Sequence, residues 1–285
     1  MGDDSCNACM SVQIQHIFTN VKENIMSRYF TSDLHLGSSN INKYARRPFK
    51  SAQEAVDTLI KNINDTLELT DSLIHVGDFL LSGHDRHDAV EDVGLDYSMN
   101  DYMSKLYCRL FLLAGNHDDL HNGDADAKSL VLDLNKNYRN VYVSHYPSTH
   151  QFYRGPDRFS RKTGVGIVLC GHVHDKWILY YDWKKNILNV NVSVDVWDYK
   201  PVRDSQITEM LDFLFMHGKN LFNTTQPGFV AWNRDRWNKW VLKINGELAA
   251  AREQRRKEKL ERKGLTPEEC ERRRIEAMKV KGLIK

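Results

Sequence analysis

No apolar run in these 285 residues reaches the length needed to span a bilayer. The opening "MGDDSCNACM" has neither the basic start nor the apolar stretch of a secretory signal. Together these absences point away from helical membrane proteins and secretion. The expectation is a cytoplasmic protein without membrane contact. Cysteine is also scarce. Five in the chain is an odd number, widely spaced, which excludes a disulfide framework. Cys108 and Cys170 lie in or beside apolar runs and read as core residues. Cys6 and Cys9 form one isolated C-x-x-C with no second ligand pair nearby, so residues 1–25 are expected to be a disordered leader. The fold is then expected to begin at Met26, in "MSRYFTSDLHLG".

A strong charge of one sign is lacking too: 40 Lys and Arg stand against 38 Asp and Glu, net +2. The balance is uneven along the chain. From Arg252 to Lys285, 13 basic residues face 7 acidic ones, so this end is basic and the rest mildly acidic. With 41% hydrophobic residues the chain has enough apolar material for one large α/β domain plus an appendage.

Present instead are short β-rich runs alternating with helical patterns, the mark of an α/β fold. The predicted strands are Tyr29–Thr31, Leu73–Val76, Leu110–Leu113, Val141–Val143, Gly166–Leu169 and Ile187–Val194. Ser51 and Glu54 form a capping-box pattern. Val56, Leu59, Ile60, Ile63 and Leu67 then recur on one helical face. A second helix follows Asp204 and Ser205, with Ile207, Met210, Leu211, Leu214 and Phe215 on one face and Gly218 as its stop. Residues 219–247 combine turn residues with Trp232, Trp237 and Trp240, expected to pack an aromatic layer on the domain rather than to stack on bases. Residues 248–285 read as two solvated, basic helices broken near Gly264. This tail is a candidate contact for nucleic acid or a protein.

The chemistry sits in five polar blocks, each directly after an apolar strand. They are Asp33-Leu34-His35, Gly77-Asp78, Gly115-Asn116-His117-Asp118, Ser144-His145 and Gly171-His172-Val173-His174. Strand ends in an α/β sheet converge on one edge, where ligands bind. Each block alone has an ordinary explanation as a turn or a surface histidine. Five in succession, all at strand ends, do not. Asp33, His35, Asp78, Asn116, His145, His172 and His174 form a mixed oxygen and nitrogen set without thiolate, which suits Mn, Fe, Zn, Co or Ni. Seven side chains exceed one tetrahedral site and suffice for two metals if one carboxylate is shared.

In this order the blocks resemble the calcineurin-like metallophosphoesterase superfamily. The similarity is greatest to short bacterial and phage-type members, through Asn40-Ile41, Arg47-Pro48-Phe49 and "NVSVDVWDYKPV" at 191–202. The resemblance implies a two-sheet β-sandwich flanked by helices over residues 26–218, with a C-terminal helical extension. It implies that Asp33, His35 and His174 bind one metal, that Asn116, His145 and His172 bind a second, and that Asp78 bridges. Two divalent transition metals are implied, manganese above all. His117 takes the place of the general acid, with Asp118 orienting it, opposite a metal-bridging hydroxide attacking phosphorus in line. The protein phosphatases of this superfamily carry an Asp-Arg-Gly after Gly-Asp and a Glu after Gly-Asn-His. This chain has Gly77-Asp78-Phe79-Leu80 and Asp118 instead, which favours a phosphodiesterase. The expected substrate is a nucleotide or nucleic-acid phosphodiester. The alternatives are a phosphomonoesterase and a metal-retaining binding or scaffold protein of the same fold. Arg46 and Arg47 are candidates for holding phosphate, since a guanidinium fork matches its oxygens. A salt bridge explains them equally well. His84 and His87 lie in "SGHDRHD" as further candidates for the cleft. Ser38 stands where the nearest relatives commonly have histidine, so the substrate preference of those relatives does not transfer.

Overall fold

The computed structural model describes residues 27–80, 98–118, 125–159, 164–217 and 230–232, and scattered positions between 238 and 257. The chain divides into two compact units, Met1–Asn233 and Arg234–Lys285. In the second, the described residues, Trp240 among them, are helical. The leader with Cys6 and Cys9, and also His84, His87, Gly218, Trp237 and Gly264, lie outside the described residues.

The first unit is built on two mixed sheets. Strands β1 (Arg28–Thr31), β2 (Ser72–Val76), β3 (Arg109–Leu113) and β9 (Val202–Arg203) form a four-stranded sheet in the order β3-β2-β1-β9. Strands β4 (Ser129–Leu132), β5 (Val141–Ser144), β6 (Gly166–Cys170), β7 (Leu179–Asp182), β8 (Ile187–Asn191) and β10 (Val230–Trp232) form the other, in the order β10-β7-β8-β6-β5-β4. In the first sheet β1, β2 and β3 run parallel, with Tyr29 opposite Leu73 and Leu73 opposite Leu110. In the second, β5, β6 and β8 run parallel. Central strands such as β6 and β8 are buried at every residue, so apolar side chains fill both faces. This is the two-layer α/β arrangement that the resemblance implied.

The helices are α1 (Asn40–Tyr44), α2 (Ala52–Thr66), α3 (Met99–Met103) and α4 (Asp204–His217). Helix α2 begins as its pattern predicts. Ser51 Oγ accepts the Glu54 N–H at 3.1 Å, although Glu54 reaches back to the Lys50 N–H rather than to that of Ser51. Val56, Leu59, Ile60 and Ile63 pack with Tyr29, Leu73 and Leu112 of the first sheet in one buried cluster. In α4, Ile207, Met210, Leu211 and Leu214 are buried, and Phe215 stacks on Tyr138.

The structure departs from the expected elements in three places. The strand expected over Ile187–Val194 stops at Asn191. There the Asn191 side chain accepts the Ser193 N–H and donates to the carbonyls of His174 and Trp177, which turns the chain into a 3-10 turn at Val194–Val196. Strands β4, β7, β9 and β10 were not expected. They are two to four residues long, too short for an alternation to register, and unlike the four-residue β1 and β5 they lead into none of the five polar blocks. Part of the supposed aromatic layer is also a strand: Val230–Trp232 pairs antiparallel with β7 and extends the second sheet.

The clustering of α2 with the first sheet yields a direct test. Leu59 is 1% exposed in that cluster. Leu59→Ala is expected to cost about 2–5 kcal/mol. Urea denaturation should show a lower midpoint at unchanged slope, and a loss well below that range would contradict the packing.

Candidate metal centre

The polar blocks leave their strands through sharp turns. Asp33 follows β1, Asp78 follows β2, Asn116 follows β3, His145 follows β5, and His172 follows β6. Asp33, His35, Asp78, His172 and His174 all have positive φ, between 48° and 69°. That left-handed conformation costs an L-residue about 1–2 kcal/mol. Asp and His tolerate it better than most side chains. Backbone bonds between neighbouring loops hold the turns. The N–H groups of Asp33, His35 and Leu36 donate to the carbonyls of Gly77, Asp78 and Phe79, each at 3.0 Å. Two glycines let the loops close up. A Cβ on Gly115 would lie 2.0 Å from Asp78 Oδ1, and one on Gly77, itself at φ 89°, 2.5 Å from His145 Nδ1.

These turns bring the seven expected ligands together. The potential donor atoms of Asp33, His35 and His174 lie within 4.8 Å of one another, as do those of Asp78, His145 and His172. Asp78 Oδ2 is 3.2 Å from His145 Nε2 and 3.5 Å from His35 Nε2. Asn116 Oδ1 is 3.0 Å from both His145 Nε2 and His172 Nδ1. The buried Asp33 carboxylate accepts the Ser32 hydroxyl and the His172 N–H, which ties the two sheets together.

The partners of the imidazoles decide what this cluster needs. His145 Nδ1 lies 2.9 Å from the Val76 carbonyl and must carry its proton there. Its Nε2 then presents a lone pair to two acceptor oxygens, Asp78 Oδ2 and Asn116 Oδ1. His174 Nδ1 is likewise spent on Asp195 Oδ2 at 2.8 Å, leaving Nε2 aimed toward Asp33 Oδ1 at 3.9 Å. Buried His35 Nε2 has no hydrogen-bond partner. Acceptors converging in a buried space repel unless a positive charge sits among them. In the protein alone that charge is a proton. Burial lowers the pKa of His145, but Asp78 outweighs it and lifts the group to about 9. Asp78 sustains one such imidazolium: burial drives His35 down to about 3 and His172 to about 4. Asp78 stays well below the usual carboxylate range despite its burial, chiefly through His145. The neutral imidazoles of His35 and His172, an ionised carboxylate and an unsatisfied ring nitrogen suit one or more divalent metals, which would take the place of the His145 proton.

The neighbouring expectations fare differently. The His117 N–H donates to Asp78 Oδ1 at 2.9 Å, and its ring lies 5.0 Å from that of His35. Asp118 binds the loops: its carboxylate accepts the N–H groups of Asp78, Phe79 and Gly115 at 2.6–3.0 Å. That clamp differs from the expected role of orienting His117. Arg47 is not a free phosphate-binding cation. It is buried, with a two-point ion pair to Asp195 (2.7 and 3.1 Å) and bonds to the carbonyls of Leu34 and Asp33. Arg46 is exposed in the turn after α1. Ser38 is buried, and its Oγ accepts the Ile41 N–H at the start of α1. The reading of the sequence missed Asp195, which fixes His174, and also Tyr146 and His150, whose rings pack on His172 at 5.0 and 4.6 Å. Asp195 lies inside "NVSVDVWDYKPV", where a carboxylate near the Gly-His-x-His block was the available signal.

Burial raises the pKa of Asp195, but the His174 hydrogen bond and Arg47 outweigh it, so the group lies below its ordinary value. A depressed carboxylate stabilises the fold above its unfolded pKa of about 4, and the contribution is lost as pH falls through the folded value. Asp195→Asn should cost about 3–5 kcal/mol at neutral pH, because it strands buried Arg47. In urea denaturation the gap from wild type should narrow below about pH 4. A gap independent of pH would rule out this pairing.

Residues 26–144 match the family model described as calcineurin-like phosphoesterase. An uncharacterized protein of Methanocaldococcus jannaschii is 28% identical over 185 residues, 65% of this chain and 90% of that protein. Among solved structures, a protein of unknown function from Aquifex aeolicus is 24% identical with a TM-score of 0.46, covering 65% of this chain and 99% of its own. The Pseudomonas putida nuclease MPE is 16% identical with a TM-score of 0.33, covering 58% and 74%. Three of the five strand-end blocks fall wholly within the matched residues and the other two stand on the adjoining sheet, so the candidate metal centre is built around the segment similar to the calcineurin-like phosphoesterases.

Proposed function

We propose that the protein is a two-metal phosphodiesterase acting on a nucleotide or nucleic-acid phosphodiester. The observation that carries this is the convergence of acceptor atoms around Asp78, which needs positive charge and has the donor chemistry for transition metals. In this reading Asp33, His35 and His174 hold one ion, Asn116, His145 and His172 a second, and Asp78 serves both. Bound there, divalent metals supply Lewis-acid polarisation of a phosphoryl oxygen and lower the pKa of water. Manganese is the preferred occupant, with Fe, Zn, Co or Ni also suited to these ligands.

The protein's own groups do the rest. His117 is half-buried beside the cluster, its backbone anchored on Asp78, and is assigned proton donation to the departing oxygen. Asp118 keeps the His117 loop and the Asp78 loop in register. Asp195 holds His174 in the tautomer that turns Nε2 toward Asp33. One observation favours a second role for His117: its ring lies close enough to His35 and Asp78 to share a metal with them.

Hydrolysis of bis-p-nitrophenyl phosphate should depend on Mn2+ and disappear in Asp78→Ala. Full turnover in excess chelator would overturn the proposal, and two bound metals without turnover of any phosphoester would favour a scaffold. His117→Ala should lower kcat about 10²–10⁴-fold. If the variant keeps two metals per chain by elemental analysis, His117 is the acid; if one is lost, it is a ligand.

A further inference from the structure

Beside the candidate metal centre lies a cavity of about 430 Å³, inside the range of small-molecule sites. It adjoins the cluster through Gly115, which precedes Asn116, and through Tyr146, whose ring lies 5.2 Å from His145 and 5.0 Å from His172. Its walls differ from the metal cluster in chemistry. Tyr142, Tyr146 and Phe152 contribute aromatic surface, and Lys128 and Arg154 contribute positive charge. Phe152 is 52% exposed, an apolar ring with an open face, 5.6 Å from Tyr146 and 5.4 Å from His150. Arg154 spends Nη1 on the carbonyls of Gln151 and Tyr153. Among the described residues no carboxylate pairs with Arg154 or with Lys128. Asp118 lines the same cavity, but its oxygens are occupied by backbone N–H groups.

An exposed aromatic face beside cations that pair with no carboxylate among the described residues suits a flat ring system carrying phosphate. Bases stack on aromatic side chains, and a guanidinium or ammonium takes the backbone charge. We propose that this cavity binds the nucleotide flanking the scissile phosphate, its base against Phe152 and Tyr146 and its far phosphate on Lys128 and Arg154. The inference rests on the phosphodiesterase reading for its placement next to the reacting phosphate, but the pocket is testable by binding alone.

The test titrates the full-length protein with thymidine 5′-monophosphate and, separately, with inorganic phosphate, by calorimetry. Phe152→Ala and the double substitution Lys128→Ala/Arg154→Ala alter exposed side chains, and circular dichroism and thermal melting check that both variants fold. Phe152→Ala should weaken the nucleotide about tenfold more than it weakens inorganic phosphate, the size expected from loss of one stacked base, and Lys128→Ala/Arg154→Ala should weaken both about tenfold. The ratio of kcat/KM for thymidine 5′-(p-nitrophenyl phosphate) over methyl p-nitrophenyl phosphate should fall by a similar factor. No nucleotide binding to wild type, or equal losses for nucleotide and phosphate in Phe152→Ala, would overturn the pocket. Selective loss of nucleotide binding without metal-dependent turnover of either ester would uphold it while overturning the phosphodiesterase reading.

Discussion

The structure depends on forcing left-handed turns at the ends of parallel strands. Five of the seven expected ligand residues occupy that strained conformation. A regular strand sends successive side chains to opposite faces, so residues 33 and 35 would share a face while their backbone ran on past the sheet edge. The turns instead aim Asp33 and His35 at a common point and send His174 to that same group and His172 to the neighbouring one around Asp78. Their strain is offset by the rungs between the Asp33 and Asp78 loops, by the Asp118 clamp, and by glycines that allow the loops to touch.

Electrostatics then sets what those turns can hold. Buried carboxylates and imidazoles are costly singly and tolerable together, because each satisfies part of the other's charge or hydrogen bonding. Here the satisfaction is deliberately incomplete at the centre and complete at the periphery. Asp195, Arg47, Ser32 and the Val76 carbonyl use up the outward-facing atoms. The inward-facing atoms of His35, His145, Asp78 and Asn116 are left opposed to one another. Arg47 belongs to this periphery. Its guanidinium ties the loop after β1 to the loop after β8, holding the carbonyls of Asp33 and Leu34 and the carboxylate behind His174 on one side chain.

The same peripheral layer joins the two sheets. Asp33 stands on the first sheet and accepts from His172 on the second, and a β-bridge pairs Ser32 with Ser193. The adjoining aromatic patch of Tyr146, His150 and Phe152 continues from this junction toward the cavity. His145 of the cluster and Tyr146, Phe152 and Arg154 of the cavity wall thus belong to one segment, 145–154.

By itself the sequence determined the strand-end blocks, the α2 core face with its Ser51 cap, the α/β class and which carboxylate, amide and imidazole side chains converge. These are local signals: an apolar run, a fixed spacing, a side-chain type. Strands β4, β7, β9 and β10 escaped, because segments so short carry no period and, unlike β1 and β5, these lead into none of the five polar blocks. The role of Arg47 escaped for a related reason. An arginine in a polar turn looks the same whether it faces a phosphate or a carboxylate 148 positions along the chain, and only the fold brings Asp195 against it. The clamp that Asp118 makes on three backbone N–H groups carried no local signal either. Tertiary structure decided these matters because buried charge takes its function from what the fold packs around it.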